Sequence, residues 1–259
     1  MMSHTPSVAL VTGGTSGIGF ELARCFAVDG HSVVIAAQDR AGLDRAAGAL
    51  RMAGASRVET VEVDLSCPDG GPKLYEAVRK LELDVAFLVN NAGVGVFGDF
   101  VRETDLADEL RMVQLNIIAP LHLTKLFGRA MIERGAGRIL ITSSVAAKAT
   151  APNLTVYSAT KAFLHSFAEG LHSELKDTGV TVTALLPDAT DTGFFRRAGM
   201  EESGIGAADK ASPADIAAAG YKAMMRGEDH VVAPARSRIT AALASVLPDR
   251  FVADRATAR

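Results

Sequence analysis

The sequence contains few cysteines, little net charge and no long uninterrupted apolar run. Its two cysteines, Cys25 and Cys67, form no metal-ligand spacing and no disulfide framework, so we expect two reduced thiols and no metal site. The formal net charge is −3 at pH 7 and the pI is about 6.1, so the chain has no basic field to attract nucleic acid. The chain begins without a basic and apolar leader, and no apolar run is long enough to span a bilayer. We therefore expect a cytoplasmic protein.

The composition is that of a chain able to bury one large core. It has 259 residues, of which 48% are hydrophobic and 22% charged, and it contains 24 glycines but no internal repeat or linker-like segment. These numbers favour a single domain over residues 1–259.

Apolar strand-like runs alternate with helical patterns along most of the chain. The runs occupy residues 7–11, 32–37, 58–63, 85–89, 138–142 and 180–186. Nearly continuous apolar strands separated by helices are typical of a parallel sheet that is covered on both faces. The alternation predicts an α/β fold with a doubly wound, Rossmann-type sheet in three layers.

A glycine-rich loop joins the first predicted strand to the first predicted helix. It reads Thr12-Gly13-Gly14-Thr15-Ser16-Gly17-Ile18-Gly19. Glycines allow the backbone to turn tightly and to approach a diphosphate, whose charge would face the amides at the start of the helix. The spacing G-x-x-x-G-x-G differs from the general dinucleotide fingerprint, so a surface loop remains the alternative interpretation.

The residues after the second strand bear on which dinucleotide would bind. Gln38, Asp39 and Arg40 follow Ala37 directly. Arg40 would favour a 2′-phosphate on the adenosine ribose, whereas Asp39 would repel it and favour a 2′-hydroxyl. The pattern slightly favours NADP(H) over NAD(H).

Polar residues also follow the third and fourth strands. Asp64, before Leu65, either accepts a hydrogen bond from an adenine amino group or caps the helix that follows. The fourth strand ends in Asn90-Asn91-Ala92-Gly93, which places amides at the crevice of a doubly wound sheet and leaves room for a flat ligand. Asx-turn chemistry is the alternative for the asparagines.

A long helical pattern over residues 105–134 contains Asn116 and Pro120. Proline cannot donate to the carbonyl four residues earlier, which is that of Asn116, so we expect a local break of the π type. The freed carbonyl could hold a water for proton relay, or the break could simply shape a buried helix.

Tyr157 and Lys161 are four residues apart in a helical pattern and therefore project from one face. At about 6 Å, the ammonium would lower the tyrosine pKa by about 2 units, which predicts an acid and base that works near neutral pH. Ser144 follows an apolar strand and would supply a hydroxyl for the reacting oxygen. A solvated pair is the alternative on spacing alone.

Two segments lie outside the alternating pattern. Residues 187–212 are polar, contain glycine and are long enough for a substrate lid. Residues 234–259 carry five arginines and two aspartates beside the apolar stripe Ile239, Leu243, Val246 and Leu247. We expect this basic amphipathic tail to pack on a subunit partner or over the lid, and peripheral membrane contact is the less favoured alternative.

Taken together, these motifs resemble the short-chain dehydrogenase/reductase family, in its compact oxidoreductase branch. The glycine loop, Asn90-Asn91-Ala92-Gly93, Asn116, Ser144, Tyr157-xxx-Lys161 and the Pro187 to Thr192 segment occur in the family's order over roughly residues 7 to 232. In place of the family's Pro-Gly this chain has Pro187-Asp188, so glycine's permissive backbone is lost in the loop near the nicotinamide and the family's loop geometry does not simply carry over.

The resemblance implies a role for each matching residue. Tyr157 would be the general acid and base, Lys161 would hold the nicotinamide ribose, Ser144 would orient the carbonyl, and Asn116 would anchor the relay water. Thr192 would lie near the nicotinamide carboxamide. The expected cofactor-binding residues are Gly13, Thr15, Ser16, Gly17, Ile18, Gly19, Gln38, Arg40, Asp64, Leu65, Asn91, Ala92, Gly93, Tyr157, Lys161, Pro187 and Thr192.

The resulting hypothesis is an enzyme that moves hydride between NAD(P) and a carbonyl or secondary alcohol. The expected pocket walls are Val94, Val96, Phe97, Leu154, Phe194, Phe195 and Met200, which favour a small apolar substrate. The resemblance also implies a homodimer or homotetramer. A redox sensor or scaffold that binds NAD(P)(H) without turnover is the alternative function.

Overall fold

A computed structural model of the chain describes residues 7–148, 152–190, 193, 198 and 211–234. Its central strands are short, apolar and almost wholly buried, as expected for a sheet with both faces covered, whereas the strands at the two edges, Val58–Glu62 and His230–Ala233, are partly exposed. The strands are β1 Val8–Thr12, β2 Ser32–Ala37, β3 Val58–Glu62, β4 Val85–Asn90, β5 Gly137–Thr142, β6 Val180–Pro187 and β7 His230–Ala233.

The seven strands form one parallel sheet in the order β3-β2-β1-β4-β5-β6-β7. The order reverses between β1 and β4, which are neighbours in the sheet but distant in the chain. At such a switch point the connections leave in opposite directions and open a crevice at the carboxyl ends of the strands. The predicted doubly wound sheet is confirmed.

Helices connect the strands, and the first two begin within a few residues of the strand before them. They are α1 Gly17–Val28, α2 Arg40–Met52, α3 Gly70–Arg79, α4 Leu106–Val113, α5 Ala119–Glu133, α6 Thr155–Glu174 and α7 Pro213–Arg226. A short 3₁₀ turn covers Val145–Ala147. None of the helices in the described ranges has the length and apolar content needed to cross a membrane.

The sheet separates two hydrophobic clusters because successive strand residues point to opposite faces. Val11 packs on one face with residues of α1, α2 and α7, whereas Leu10 packs on the other with residues of α3, α5 and α6. This arrangement confirms the predicted three-layer architecture.

The predicted break in the long helix is also confirmed. A π-helical segment, Gln114–Ile118, separates α4 from α5, and the Ala119 N–H donates to the Gln114 carbonyl five residues back. Pro120 follows at the start of α5, where it has no N–H for the Asn116 carbonyl. Asn116 itself is fully buried.

The predicted lid is described only near its ends. Ala211 N–H donates to the Ala189 carbonyl at 2.9 Å, and an isolated parallel bridge joins Thr190 to Ala211, so the two ends of this segment meet. Thr192, Phe194, Phe195 and Met200 lie outside the described residues, as does the predicted tail after Pro234.

Asp188 does not need the backbone freedom of the family's glycine. In the described part of the chain, Glu82 and Asn153 are the non-glycine residues with positive φ. The Asp188 N–H donates to the Ala233 carbonyl at 3.0 Å, which ties the end of β6 to that of β7. Asp188 therefore occupies the glycine position of the family without a positive φ.

Candidate active site

The glycine loop lies at the switch point, between β1 and the start of α1. Gly13 and Gly17 have φ values of +67° and +56°, which favour glycine. A Cβ on Gly19 would overlap the Gly13 carbonyl oxygen and the Asn91 amide nitrogen. The first turn of α1 is thus pressed against the loop and the end of β4, and its amides open into the crevice.

Thr12 and Thr142 fix the position of Asn91 at the centre of this edge. The Thr12 hydroxyl accepts from the Asn91 and Ala92 N–H groups at 3.0 Å each, and the Asn91 amide donates to the Thr12 carbonyl at 3.1 Å. The Thr142 hydroxyl donates to Asn91 Oδ1 at 3.3 Å. Asn91 therefore links β1, β4 and β5 rather than forming a local Asx turn. The sequence patterns did not indicate this role for Thr12 and Thr142, although each is the last residue of its strand.

Asn116 holds the segment after β4 against α6. Its Oδ1 accepts from the Val94 N–H at 3.1 Å, and its Nδ2 donates to the Val94 carbonyl at 3.0 Å and to Thr160 Oγ1 at 3.1 Å. The side chain is fully engaged by these contacts. Pro120 has no N–H to donate to the main-chain carbonyl of Asn116.

Replacing Asn116 by alanine is expected to lower the free energy of unfolding by about 2–4 kcal/mol, because both polar groups of Val94 would lose their buried partner. Urea unfolding followed by circular dichroism would measure the change. Gln114→Ala is the matched control, since Gln114 lies in the same π segment but makes one long contact of 3.4 Å to the Cys67 carbonyl. An equal loss in both variants would contradict this role of Asn116.

Lys161 is buried in the crevice, with only 4% of its surface exposed. Its ammonium donates to the Thr142 carbonyl at 3.0 Å, and the Ser143 hydroxyl donates to the Lys161 carbonyl at 2.7 Å. A Cβ on Gly93 would lie 3.4 Å from Lys161 Nζ and 3.2 Å from Asn116 Oδ1, so glycine keeps this space open beside the ammonium. Burial without a carboxylate partner lowers the pKa of Lys161 to about 8.

Tyr157 and Ser144 meet at the carboxyl end of β5. Their side chains are hydrogen-bonded, and Lys161 Nζ lies 5.7 Å from the centre of the tyrosine ring. Burial raises the pKa of Tyr157 to about 12 despite the hydrogen bond from Ser144, which lowers it. The predicted lowering of this pKa by Lys161 is therefore wrong for the protein alone, because the ammonium is directed to Thr142 and burial dominates.

An apolar wall stands beside the tyrosine. Leu154 and Ala198 are buried together, with Phe97 and Tyr157 packed against them. The Gly98 N–H donates to the Asn153 carbonyl at 3.0 Å, which holds Phe97 next to the start of α6. Two of the predicted pocket residues, Phe97 and Leu154, are thus brought to Tyr157.

The remaining predicted contacts line the β2 and β3 side of the crevice. Gln38 and Arg40 are exposed at the start of α2. Asp64 Oδ1 accepts from the Ser66 N–H and hydroxyl at 2.8 and 2.6 Å, and these bonds lower the pKa of Asp64. The cap of α3 is Asp69, so Asp64 as its helix cap is wrong. The Leu65 side chain is buried in the core, which leaves its backbone for a ligand.

Comparisons with known proteins find relatives over most of the chain. The family model described as short chain dehydrogenase matches residues 7–203. An uncharacterized oxidoreductase of Staphylococcus saprophyticus is 30% identical over 226 residues, covering 87% of this chain and 94% of that protein.

Two solved structures share the fold. A short-chain dehydrogenase from Sphingobium yanoikuyae in complex with NADPH is 30% identical with a TM-score of 0.82, covering 93% of this chain and 96% of that one. A short-chain dehydrogenase/reductase from Burkholderia phymatum in complex with NAD is 25% identical with a TM-score of 0.81, covering 94% of each chain. With most of its length matched by the family model, this chain belongs to the short-chain dehydrogenase/reductase family.

Proposed function

We propose that this NAD(P)-dependent oxidoreductase interconverts a carbonyl and a secondary alcohol, with Tyr157 as the general acid and base. The observation that carries the proposal is the hydrogen-bonded pair of Ser144 and Tyr157, placed beside buried Lys161 at the carboxyl edge of the sheet. Two hydroxyls side by side can hold one carbonyl oxygen, and one of them can then transfer a proton to it.

Tyr157 has the protonation state that carbonyl reduction requires. Because burial raises its pKa to about 12, the hydroxyl carries its proton at neutral pH. In reduction, Tyr157 donates this proton to the substrate oxygen while Ser144 keeps that oxygen in place. In alcohol oxidation the same group must accept a proton, so its high pKa favours oxidation at alkaline pH.

The residues around the crevice fit a dinucleotide. Gly93 leaves open the space beside Asn116 and Lys161 that a Cβ would fill, and the start of α1 presents free amides behind the Gly13 turn. The loop residues 13–19 would hold the diphosphate, Asn91 to Gly93 the nicotinamide end, and Lys161 its ribose. When bound, the nicotinamide supplies or accepts the hydride.

Both NAD and NADP remain candidates for this site. The Sphingobium relative binds NADPH and the Burkholderia relative binds NAD. The slight preference for NADP(H), which was based on Arg40, stays a prediction. Thr192 and Pro187 are likewise proposed contacts at the nicotinamide end.

The wall of Phe97, Leu154 and Ala198 supports a small apolar carbonyl compound or alcohol as the substrate. A homodimer or homotetramer, a cytoplasmic location, the lid and the role of the basic tail stay predictions. The absence of a nucleic-acid partner is also a prediction, and it rests on the net charge of −3 at pH 7.

The test is fluorescence titration with NADH and NADPH, followed by turnover on a panel of apolar ketones and aldehydes. We expect at least one reduced dinucleotide to bind with a Kd between about 1 μM and 1 mM, and to be oxidised with some member of the panel. Tight binding without any turnover would favour the redox sensor. Failure to bind either dinucleotide would reject both functions.

A further inference from the structure

A backbone hydrogen bond joins the two stretches of chain that carry the apolar wall. The Gly98 N–H donates to the Asn153 carbonyl at 3.0 Å. Phe97 precedes Gly98 directly and Leu154 follows Asn153, so each partner of the bond is next to a residue of the wall. The bond therefore fixes the spacing between the two sides of the wall beside Tyr157.

Both partners of this bond have a backbone conformation that most residues avoid. Asn153 has a φ of +63° and Gly98 has a φ of +146°. Asparagine is one of the few non-glycine residues that enter the left-handed region readily. The Asn153 side chain is exposed, so the part of this residue that acts on the wall is its backbone.

The stretch that contains Phe97 is anchored on both sides of that residue. Asn116 binds the N–H and the carbonyl of Val94 at 3.1 and 3.0 Å. The Asp99 carboxylate accepts from two backbone N–H groups at 3.0 and 3.1 Å, which closes a turn directly after Gly98. Between these anchors, the position of Phe97 depends on the hydrogen bond to the other stretch.

Tyr157 depends less on this bond than the wall does. The Ser158 N–H donates to the Leu154 carbonyl at 2.8 Å, so the first turn of α6 starts from Leu154. Tyr157 lies inside the helix, and its carbonyl accepts from the Thr160 hydroxyl at 2.7 Å. A change of conformation at Asn153 should therefore move Leu154 and leave the tyrosine in its helix.

We propose that Asn153 is a positioning residue for the substrate, because its left-handed backbone directs its carbonyl to Gly98 and so holds the apolar wall in place beside Tyr157. The inference rests on the proposed carbonyl–alcohol function. A residue that avoids positive φ at position 153 should give up the hydrogen bond and displace the wall. Substrate binding would weaken while proton transfer is kept, so the loss should be in KM rather than in kcat.

Asn153→Val is expected to raise KM for the best substrate of the ketone and aldehyde panel by about 10-fold, with kcat and the Kd of the reduced dinucleotide within about 3-fold of wild type. A β-branched side chain is strained at positive φ. Asn153→Gly should keep KM within about 2-fold of wild type, because glycine adopts this conformation without strain. A raised KM in Asn153→Gly would assign the effect to the side chain and overturn the proposal.

Hydrogen exchange of the Gly98 amide, followed by NMR, tests the bond without relying on turnover. Asn153→Val should speed this exchange by about 10-fold, whereas Asn153→Gly should leave it close to the wild-type rate. An unchanged exchange rate in Asn153→Val would overturn the proposal even if KM rises.

Glu82→Val is the matched control. Glu82 is exposed and has a φ of +54°, but it lies between α3 and β4, at the opposite edge of the sheet. We expect both valine variants to unfold at lower urea concentration than wild type, and KM to rise in Asn153→Val alone. An equal rise of KM in both would assign the effect to general destabilisation and overturn the proposal.

A wild type that turns over no member of the panel would reject the proposed function, and with it the substrate role of Asn153. A wild type that is active, with KM unchanged in Asn153→Val, would overturn only the inference about Asn153. The two failures are therefore distinguishable.

Discussion

Replacing Tyr157 by phenylalanine should lower kcat for carbonyl reduction by about 10³-fold while changing the Kd for the reduced dinucleotide by less than about 3-fold. The substitution removes one hydroxyl, the proton donor, and keeps the ring that packs against Leu154 and Ala198. Stopped-flow and steady-state assays at neutral pH would measure kcat, and fluorescence titration would measure the Kd.

Tyr75→Phe is the matched control for this experiment. Tyr75 packs against Phe127 with ring centres 5.1 Å apart, on a helix far from the carboxyl end of β5. We expect its activity to stay within about 2-fold of wild type. Full activity of Tyr157→Phe would contradict the proposed general acid, and loss of dinucleotide binding in that variant would indicate a structural role instead.

The sheet was predictable because its strands are buried on both faces. Runs such as 32–37 and 85–89 are apolar throughout, so they lack the polar face that a surface helix needs and fit buried strands instead. The helical patterns between such runs predict crossover helices that join parallel strands. The π segment was predictable from one covalent fact, the missing N–H of Pro120. Both inferences use local chemistry that does not depend on tertiary detail.

The hydrogen bonds that position the site residues could not be predicted from the sequence. Thr12, Thr142 and Thr160 receive or donate the hydrogen bonds that orient Asn91 and Asn116. Threonine is common in strands, so Thr12 and Thr142 at strand ends do not distinguish a ligand-binding edge from any other edge, and Thr160 lies inside α6. These partners lie between 44 and 79 residues apart in the chain, and only the folded topology brings them together.

The prediction of a lowered pKa for Tyr157 was wrong for a related reason. Spacing shows that Lys161 shares a helix face with the tyrosine, but it does not show where the ammonium points or how deeply both groups are buried. The ammonium is bonded to the Thr142 carbonyl, and burial raises the tyrosine pKa while it lowers that of the lysine. In an enclosed site, desolvation outweighs a charge that is directed elsewhere.

Burial of Lys161 also makes the stability of the protein depend on pH. Its pKa falls from an ordinary value of 10.5 to about 8 in the folded chain. Between these values the unfolded chain holds the proton and the folded chain has lost it, so the free energy of unfolding rises with pH by about 3 kcal/mol in total. Tyr157 has the opposite effect above pH 10.0, which is its ordinary pKa. Burial raises this pKa to about 12, so the folded chain keeps the proton that the unfolded chain has lost, and the free energy of unfolding falls as the pH rises.

Lys161→Met should therefore raise the free energy of unfolding at pH 7 by about 2 kcal/mol, once about 1 kcal/mol for the lost hydrogen bond to Thr142 is subtracted. The same variant should lose most of its dinucleotide affinity and turnover if the ammonium holds the ribose. Urea unfolding at several pH values from 7 to 10 would measure how the free energy of unfolding changes with pH. The wild type should show a rise over this range, and Lys161→Met should not. Lys125→Met is the control, because Lys125 is exposed on α5. A variant that is less stable than wild type at pH 7, or one that keeps the slope, would mean that the buried ammonium is stabilised by contacts stronger than its bond to Thr142.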